Sequence, residues 1–164
     1  MICATRRAIP SDAEVACEVV RRSIVDLCKA DHHGDSETLS KWLANKTPAN
    51  FARWIASEEH IAVVAEIDGA LVGFGLLNLQ GRITLLYVAP DARFRGVSKG
   101  LLASLENEAI ARGLRELKLE SSLTALQFYS RCGYTSSGPS TNGFGVTTCY
   151  PMSRLVVTGK QGSI

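Results

Sequence analysis

A short basic turn between a predicted strand and a predicted helix carries the residue types that bind anions. Arg93, Arg95 and Lys99 surround Gly96, and a helical pattern begins at Ser98. The first turn of a helix presents unpaired backbone N–H groups and the positive end of the helix dipole, and phosphate is a common ligand there. The turn therefore predicts a phosphate site, with an ordinary surface loop as the plainer alternative.

Two common phosphate-binding motifs do not account for this turn. The chain contains no G-x-x-x-x-G-K-[ST] segment, which P-loop nucleotide-binding proteins require. It also lacks a G-x-G-x-x-G segment after its first strand, which dinucleotide-binding folds use. The strand before the basic turn belongs to a predicted antiparallel meander, and this disfavours both types of fold.

Hydrophobic periodicity and turn residues predict that helices and strands are mixed along the chain. Three central strands are joined by the tight-turn signals Asp68-Gly69 and Gln80-Gly81. This order indicates a mixed α+β fold. The predicted strands are 5–8, 61–67, 70–79, 82–88, 114–120, one that begins at Tyr134 and 146–155; the predicted helices are 11–28, one that begins at Ser36, 50–57, 98–112 and 123–131; segment 138–145 is a predicted loop.

The composition is that of a single folded domain. The chain has 164 residues, of which 46% are hydrophobic and 21% charged, so it can build a core and is not a disordered protein. We expect one domain over residues 1–157 and a frayed tail over 158–164. The net charge of +2 is too small for a general nucleic-acid binder, and no apolar run is long enough to span a membrane. We therefore expect neither nucleic acid nor a membrane as a partner.

Two segments together resemble the GCN5-related N-acetyltransferases, or GNAT family. The segment from Arg93 to Ser98, Arg-Phe-Arg-Gly-Val-Ser, resembles the R/Q-x-x-G-x-G/A loop with which that family binds the pyrophosphate of acetyl-coenzyme A. Thr-Ala-Leu-Gln-Phe-Tyr-Ser-Arg-Cys-Gly-Tyr, ending at Tyr134, is similar to the family's A-x-x-F-Y-x-x-x-G-Y/F segment. Two departures stand out: Phe94 occupies a position where many members have glycine, and Ser98 one where glycine or alanine is usual.

The resemblance implies an acyl-CoA N-acyltransferase-like fold, whose mostly antiparallel central sheet contains a splayed pair of strands and has flanking helices. It implies acetyl-coenzyme A as the co-substrate and no metal. The backbone N–H of Val88 would stabilise the oxyanion, and Tyr129 would protonate the departing thiolate. The implied cofactor-binding residues are Leu86, Tyr87, Val88, Arg93, Phe94, Arg95, Gly96, Val97, Ser98, Lys99, Gly100 and Phe128.

The activity implied is transfer of an acetyl group to an amine of a small molecule or peptide, by direct attack in a ternary complex. A non-catalytic acyl-CoA sensor is the alternative, and a monomer or a homodimer is expected. The resemblance does not identify the general base, because the strand 82–88 has no acid. The candidates are Glu120, then Glu66, a chain of water molecules, or a substrate that is already neutral. His32, His33 and Asp35 lie in a loop that lines the acceptor side in the family. They could contact substrate or a metal, or form a solvated loop.

The cysteines predict a protein with free thiols, and therefore a cytoplasmic one. The chain has five cysteines, an odd number, and no C-x-x-C pair that would suggest zinc or a thioredoxin-type site. We expect all five thiols to react in a thiol titration of the denatured protein without reductant. Recovery of a single thiol would mean that two disulfides are present and would contradict the cytoplasmic assignment.

Overall fold

A mixed sheet of eight strands forms the centre of the molecule, which a computed structural model describes over residues 3–143 and 147–156. The strands are β1 (Cys3–Arg7), β2 (His60–Ile67), β3 (Ala70–Asn78), β4 (Arg82–Val88), β5 (Glu116–Ser121), β6 (Thr135–Ser136), β7 (Thr141–Gly143) and β8 (Thr147–Leu155). The helices are α1 (Ala13–Leu27), α2 (Lys29–His32), α3 (Ser36–Leu43), α4 (Pro48–Ala56), α5 (Val97–Ala111) and α6 (Leu126–Arg131). The strand order is β1-β2-β3-β4-β5-β8-β6, and β7 pairs with β8.

Strand β2 is apolar along most of its length because both of its faces are buried. Ile61, Val63 and Ala65 face the core on the α5 side of the sheet, whereas Ala62 and Val64 face the core under α1. Successive side chains of a strand point to opposite faces, so a strand covered on both faces has to be apolar throughout. The sheet is therefore a layer between two helical layers, with α1 and α4 on one face and α5 on the other.

The strands β4 and β5 are the one parallel pair among the described strands, and they separate soon after they start. They pair only at Arg82 with Lys118 and at Ile83 with Leu119. Strand β4 stays bound to β3 as far as Val88, opposite Gly73, with a bulge at Thr84. Beyond Ile83 the other edge of β4 is therefore not part of a ladder. The predicted fold class, a mostly antiparallel sheet with a splayed strand pair, is confirmed.

Three local predictions differ from the structure. His32, expected in the loop between the first helices, is the last residue of the short helix α2. The predicted loop 138–145 contains β7, which forms a small hairpin with the start of β8, because backbone pairing can order even a polar, glycine-containing segment. Helix α6 begins at Leu126, not at residue 123, because the backbone N–H groups of Leu123 and Thr124 donate to the side chain of Asp31. The start of the last predicted strand at Val146 and the predicted tail 158–164 lie outside the described residues.

Gly81 lies at the end where β4 and β5 are still paired, just before they separate. Replacing it tests whether it holds the two strands together there. Its φ is +87°, its carbonyl accepts from the N–H of Lys118 at 2.9 Å, and a Cβ would lie 2.7 Å from the carbonyl oxygen of Glu116. Gly81→Ala should lower the free energy of unfolding by roughly 1–2 kcal/mol for the left-handed backbone, and by a further ~1–3 kcal/mol for the overlap. Denaturant unfolding measures both losses.

Gly69→Ala is the matched control for this change. Gly69 also has a positive φ, +79°, but a Cβ there would meet no atom within 4 Å. The control should show the backbone cost alone. Equal losses in the two variants would mean that the contact with β5 does not constrain position 81.

Candidate active site

A cavity of about 480 Å³ occupies the gap between β4 and β5. Its walls are the open edge of β4, the start of α5, the helix α6 and the end of α1. Most of the residues that the sequence predicts for the site are brought together here. They are Leu86, Tyr87, Val88, Arg93, Phe94, Gly96, Val97, Ser98, Lys99, Glu120, Phe128 and Tyr129.

Two predicted residues, Arg95 and Gly100, do not line this cavity. The side of Gly100 that would carry a Cβ faces Thr5 of β1, at 3.9 Å. Conversely, several lining residues were not predicted, because only packing brings the end of α1 and the turn before α6 to the strand gap. These additional residues include Ser23, Leu27, Cys28, Ser122, Thr124, Gln127 and Arg131.

The start of α5 is built to receive an anion. Gly96 precedes the helix with a φ of +75°, no side chain caps the helix, and its first turn contains no acidic residue. The first N–H groups of a helix have no partner within it, so these donors are available to a ligand. Arg93 and Lys99 add positive charge in the cavity wall. The turn can therefore bind a phosphate through backbone donors and through charge.

Phe94 has a backbone conformation that explains why glycine is usual at its position. Its φ is +64°, in the left-handed region, and its side chain is 95% exposed. The guanidinium carbon of Arg93 lies 5.1 Å from the centre of its ring. A bulky residue held in this region costs free energy of the order of 1 kcal/mol or more and places an aromatic ring at the cavity mouth.

The register of β4 directs the N–H of Val88 into the gap. The next residue, Ala89, donates its N–H to the carbonyl of Val72 on β3, at 2.7 Å. Because backbone groups alternate in direction along a strand, the N–H of Val88 points away from β3 and toward the separated β5. A donor at this place can bind a carbonyl oxygen that gains negative charge.

Tyr129 lies in the cavity wall and is 6% exposed. Its ring makes edge contacts with Phe128 and Tyr134. Burial raises the pKa of Tyr129 well above its usual value, since a phenolate would lose its hydration, and burial likewise raises the pKa of Tyr87. Both phenols are therefore neutral and able to donate a hydrogen bond at neutral pH.

The acids proposed as bases have different positions. Glu120 lines the cavity, is exposed, and lies opposite Pro151 in the pairing of β5 with β8. Glu66 makes an ion pair with Arg6 on β1 and does not line the cavity. The structure brings the first acid to the site and leaves the second away from it.

Asp31 holds the turn before α6, which is part of the cavity wall, to α2. Its carboxylate accepts from the backbone N–H of Leu123 at 2.7 Å, and from the N–H and hydroxyl of Thr124 at 3.2 and 2.5 Å. These bonds hold α2 to the turn before α6, across 92 positions of sequence. No local pattern reveals such a distant partner, so the sequence alone did not single out Asp31.

The loop that was expected to face the acceptor is mainly structural. His32 is 2% exposed; its Nδ1 accepts from the N–H of Gly34, so Nε2 carries the proton and donates to the carbonyl of Ile24 at 3.0 Å. The carboxylate of Asp35 accepts from the N–H and hydroxyl of Thr38 and caps α3. His33 is exposed at the end of α2, with a φ of +52°. Within residues 3–143 and 147–156, no group of three or more His, Cys, Asp or Glu side chains could hold a metal ion.

Comparison with known proteins identifies the family. Residues 28–155 match the family model described as an acetyltransferase (GNAT) domain. The chain belongs to the GNAT family. The protein is therefore an acetyltransferase, and acetyl-coenzyme A is its acetyl donor, as the two sequence motifs predicted.

Individual relatives agree with this assignment. An "IAA acetyltransferase" of Azospirillum brasilense is 28% identical over 116 residues, which cover 63% of this chain and 76% of that protein. The structure of a GCN5-related N-acetyltransferase from Rhodopseudomonas palustris is 28% identical, with a TM-score of 0.84 over 94% of this chain and 96% of that one. The PaiA N-acetyltransferase of Thermoplasma acidophilum, in complex with coenzyme A, shares the fold at 21% identity, with a TM-score of 0.79 over 94% and 99% of the two chains.

In its described parts, the GNAT domain has no helix that is both long enough and apolar enough to cross a bilayer.

The residues around the cavity fit acetyl-coenzyme A. The start of α5 suits a pyrophosphate, and the open edge of β4 suits an extended chain that contains amides.

Adding acetyl-coenzyme A should raise the melting temperature, and Gly96→Asp should abolish that rise. The new carboxylate would stand at the helix start where the pyrophosphate binds, and no atom lies within 4 Å of the added Cβ, so the fold should persist. Thermal unfolding with and without a hundredfold excess over a micromolar dissociation constant should show a stabilisation of about 2.7 kcal/mol in the wild type only.

Gly113→Asp is the matched control, because Gly113 follows the other end of α5, has a φ of +78°, and also has open space around it. It should keep the full rise in melting temperature. A rise in Gly96→Asp equal to that of the control would show that the pyrophosphate is bound elsewhere.

Proposed function

We propose that this acetyltransferase acts on an amine of a small molecule or a peptide, which attacks the donor directly in a ternary complex. The observation that carries the proposal is the shared cavity: the open edge of β4 at Val88 and the phenol of Tyr129 both line it. An acyl carbon held at β4 would meet an oxyanion donor and a proton donor in the same space. The acetyl donor supplies an activated thioester.

The first step is binding of the donor by the start of α5 and by β4. The N–H groups after Gly96, together with Arg93 and Lys99, hold the pyrophosphate, and the unpaired edge of β4 from Thr84 to Val88 holds the pantetheine chain. Phe94 and Phe128 give apolar surface at the mouth of the cavity. This arrangement places the thioester beside Val88.

The second step is attack on the carbonyl carbon, which moves negative charge to the carbonyl oxygen. The N–H of Val88 is fixed by the pairing of β4 with β3, so it needs no rearrangement to donate to that oxygen. A donor that is already in position stabilises this charge without the reorganisation that solvent water would need.

Tyr129 gives its proton to the departing sulfur. A phenol is ordinarily a weaker acid than a thiol, with pKa values of about 10 and 8.5. Burial raises the pKa of Tyr129. The same desolvation raises the basicity of a thiolate in that cavity, so the transfer stays close to balanced.

Glu120 is the proposed acceptor of the proton that the amine must lose. An alkyl ammonium with a pKa of about 10.4 is only roughly one part in a thousand neutral at pH 7, a cost of about 4–5 kcal/mol. Glu120 lines the cavity and is exposed to solvent, so it can take this proton directly or through water.

A sensor that only binds acyl-coenzyme A would need no proton donor at the thioester, so the buried phenol of Tyr129 favours catalytic turnover over a sensor.

For the compartment we propose the cytoplasm, since all five cysteines are free thiols. For the oligomeric state we propose a monomer or a homodimer.

Tyr129→Phe tests the proton donor. The variant keeps the ring contacts and removes only the hydroxyl, so the affinity for acetyl-coenzyme A and the melting temperature should hardly change. Because one general acid contributes about a hundredfold or more, kcat should fall by that factor while KM is retained. Steady-state kinetics with an accepted amine, or slow hydrolysis of acetyl-coenzyme A, measures this.

Tyr134→Phe is the control for removal of a phenol hydroxyl. Tyr134 packs on Tyr129 but does not line the cavity, and its hydroxyl donates to Glu106 at 3.3 Å. It should lose about 1 kcal/mol of stability and keep kcat. Since the pKa of Tyr129 is raised, its ionisation should not reduce kcat between pH 7 and 9. Unchanged kcat in Tyr129→Phe, with chemistry rate-limiting, would remove Tyr129 from the mechanism.

A further inference from the structure

A second cavity, of about 490 Å³, lies under α3 and α4, and none of the roles above involves it. Its wall includes Trp42 and Lys46 from the α3 region, Trp54 from α4 and His60 at the start of β2. Small-molecule sites of this size are usually apolar and aromatic with a few polar groups that fix orientation. Trp42 and Trp54 give this cavity an aromatic wall, and half of its ten lining residues are polar.

Lys46 is the polar group that distinguishes this cavity. The residue is 5% exposed, and its ammonium group donates to the Oδ1 of Asn45 at 2.7 Å and to the carbonyl of Trp42 at 3.3 Å. An ammonium group has three N–H donors, so one donor remains. Across the described residues, no carboxylate lies within 4 Å of it.

The groups around Lys46 do not compensate its charge. Arg21 of α1 is another cation, and its guanidinium donates to the carbonyl of Lys46 at 2.8 Å. The neutral thiol of Cys17 donates to the same carbonyl. Burial, followed by the charge of Arg21, lowers the pKa of Lys46 to about 8, yet most of the molecules still carry the charge at pH 7. Buried charges in proteins are normally paired, so a ligand that brings a negative charge would supply what the protein omits.

The aromatic walls indicate the rest of the ligand. Trp42 is buried and Trp54 is partly buried, and both side chains line the cavity beside Lys46. Indole surfaces bind planar apolar groups, with ring pairs favouring offset or edge contacts. A ring that carries a carboxylate matches both features of the cavity.

We propose that this second cavity binds a small planar carboxylate, with Lys46 holding the carboxylate and Trp42 and Trp54 contacting the ring. Thr84 and Leu85 of β4 line this cavity as well as the one between β4 and β5. The second cavity therefore adjoins the strand that carries Val88. The carboxylate belongs either to an acceptor that extends into the first cavity or to a separate ligand. Binding itself does not depend on acetyl transfer.

The chain provides its own probe for this binding, because its two tryptophans, Trp42 and Trp54, both line the cavity. Tryptophan fluorescence should be titrated with benzoate and with benzamide, which has the same shape and no charge, in the absence of acetyl-coenzyme A. Benzoate should bind at least tenfold more tightly. Raising the pH from 7 to 9 should weaken benzoate about tenfold, as Lys46 loses its proton through a pKa near 8, and should leave benzamide unchanged.

Lys46→Met removes the charge and keeps much of the side-chain volume. The preference for benzoate over benzamide should fall below about twofold. Lys41→Met is the matched control, since Lys41 lines the same cavity but is exposed and pairs with Glu37 at 3.1 Å. It should retain the preference. The pH series on the wild type gives a second test that needs no variant.

An assay with 4-(aminomethyl)benzoate and acetyl-coenzyme A distinguishes whether the carboxylate belongs to an acceptor substrate or to a separate ligand. Acetylation of this compound, at least tenfold more efficient than that of its amide and dependent on Lys46, would make the ligand an acceptor. Binding without acetylation would make it a separate ligand. Equal affinity for benzoate and benzamide in the wild type, or an undiminished preference in Lys46→Met, would overturn the proposal, whereas the Gly96→Asp and Tyr129→Phe results would be unaffected.

Discussion

The early separation of β4 from β5 is the constraint on which the site depends. Parallel strands that stayed paired would use the N–H and carbonyl groups of β4 for the sheet. Here the ladder ends at Ile83 and Leu119, so the backbone of β4 beyond that point keeps its hydrogen-bonding capacity for a ligand. The pairing of β4 with β3 continues to Val88, which keeps the open edge rigid. One strand thus serves as structure on one side and as binding surface on the other.

Helix α5 and the turn before α6 complete this gap from opposite sides. Helix α5 packs on the sheet through Leu101 and Leu105, which fixes the direction of its uncapped start toward the cavity. Asp31, from the other helical layer, holds the turn before α6 in place through three hydrogen bonds. The position of Tyr129 relative to Val88 therefore follows from packing on both faces of the sheet.

Lys46 is a buried charge that the protein does not neutralise, in contrast to the carboxylate of Glu106. The carboxylate of Glu106 is half-buried and bound by Arg154, so its charge is compensated within the protein. Lys46 is more buried and has only neutral acceptors. Such a group reduces stability unless a ligand pairs with it, which is why the second cavity is better explained as a binding site than as a packing defect.

The sequence by itself determined the elements and the family. Apolar periodicity located β2, β3, β4 and α5 to within a few residues, because core-facing side chains recur at the period of the element that carries them. The basic turn around Gly96 indicated an anion site, since a helix start with nearby arginines is a local feature. Together with the segment that contains Phe128 and Tyr129 it carried the family resemblance, and that resemblance implied the co-substrate. The left-handed backbone conformation of Phe94 could not be predicted from the sequence, because φ does not follow from residue type alone.

The tertiary structure determined the features that depend on contacts between segments far apart in the sequence. The β7 hairpin, the role of Asp31 across 92 positions and the burial of His32 each require a second segment that no local pattern specifies. The same holds for Glu120 and Glu66, which are both strand acids in the sequence and differ only in which element packs beside them. No pattern in the sequence singles out Lys46, and only the packing of α3, α4 and α1 around it buries the charge. Local chemistry is encoded locally, whereas burial and proximity are properties of the whole fold.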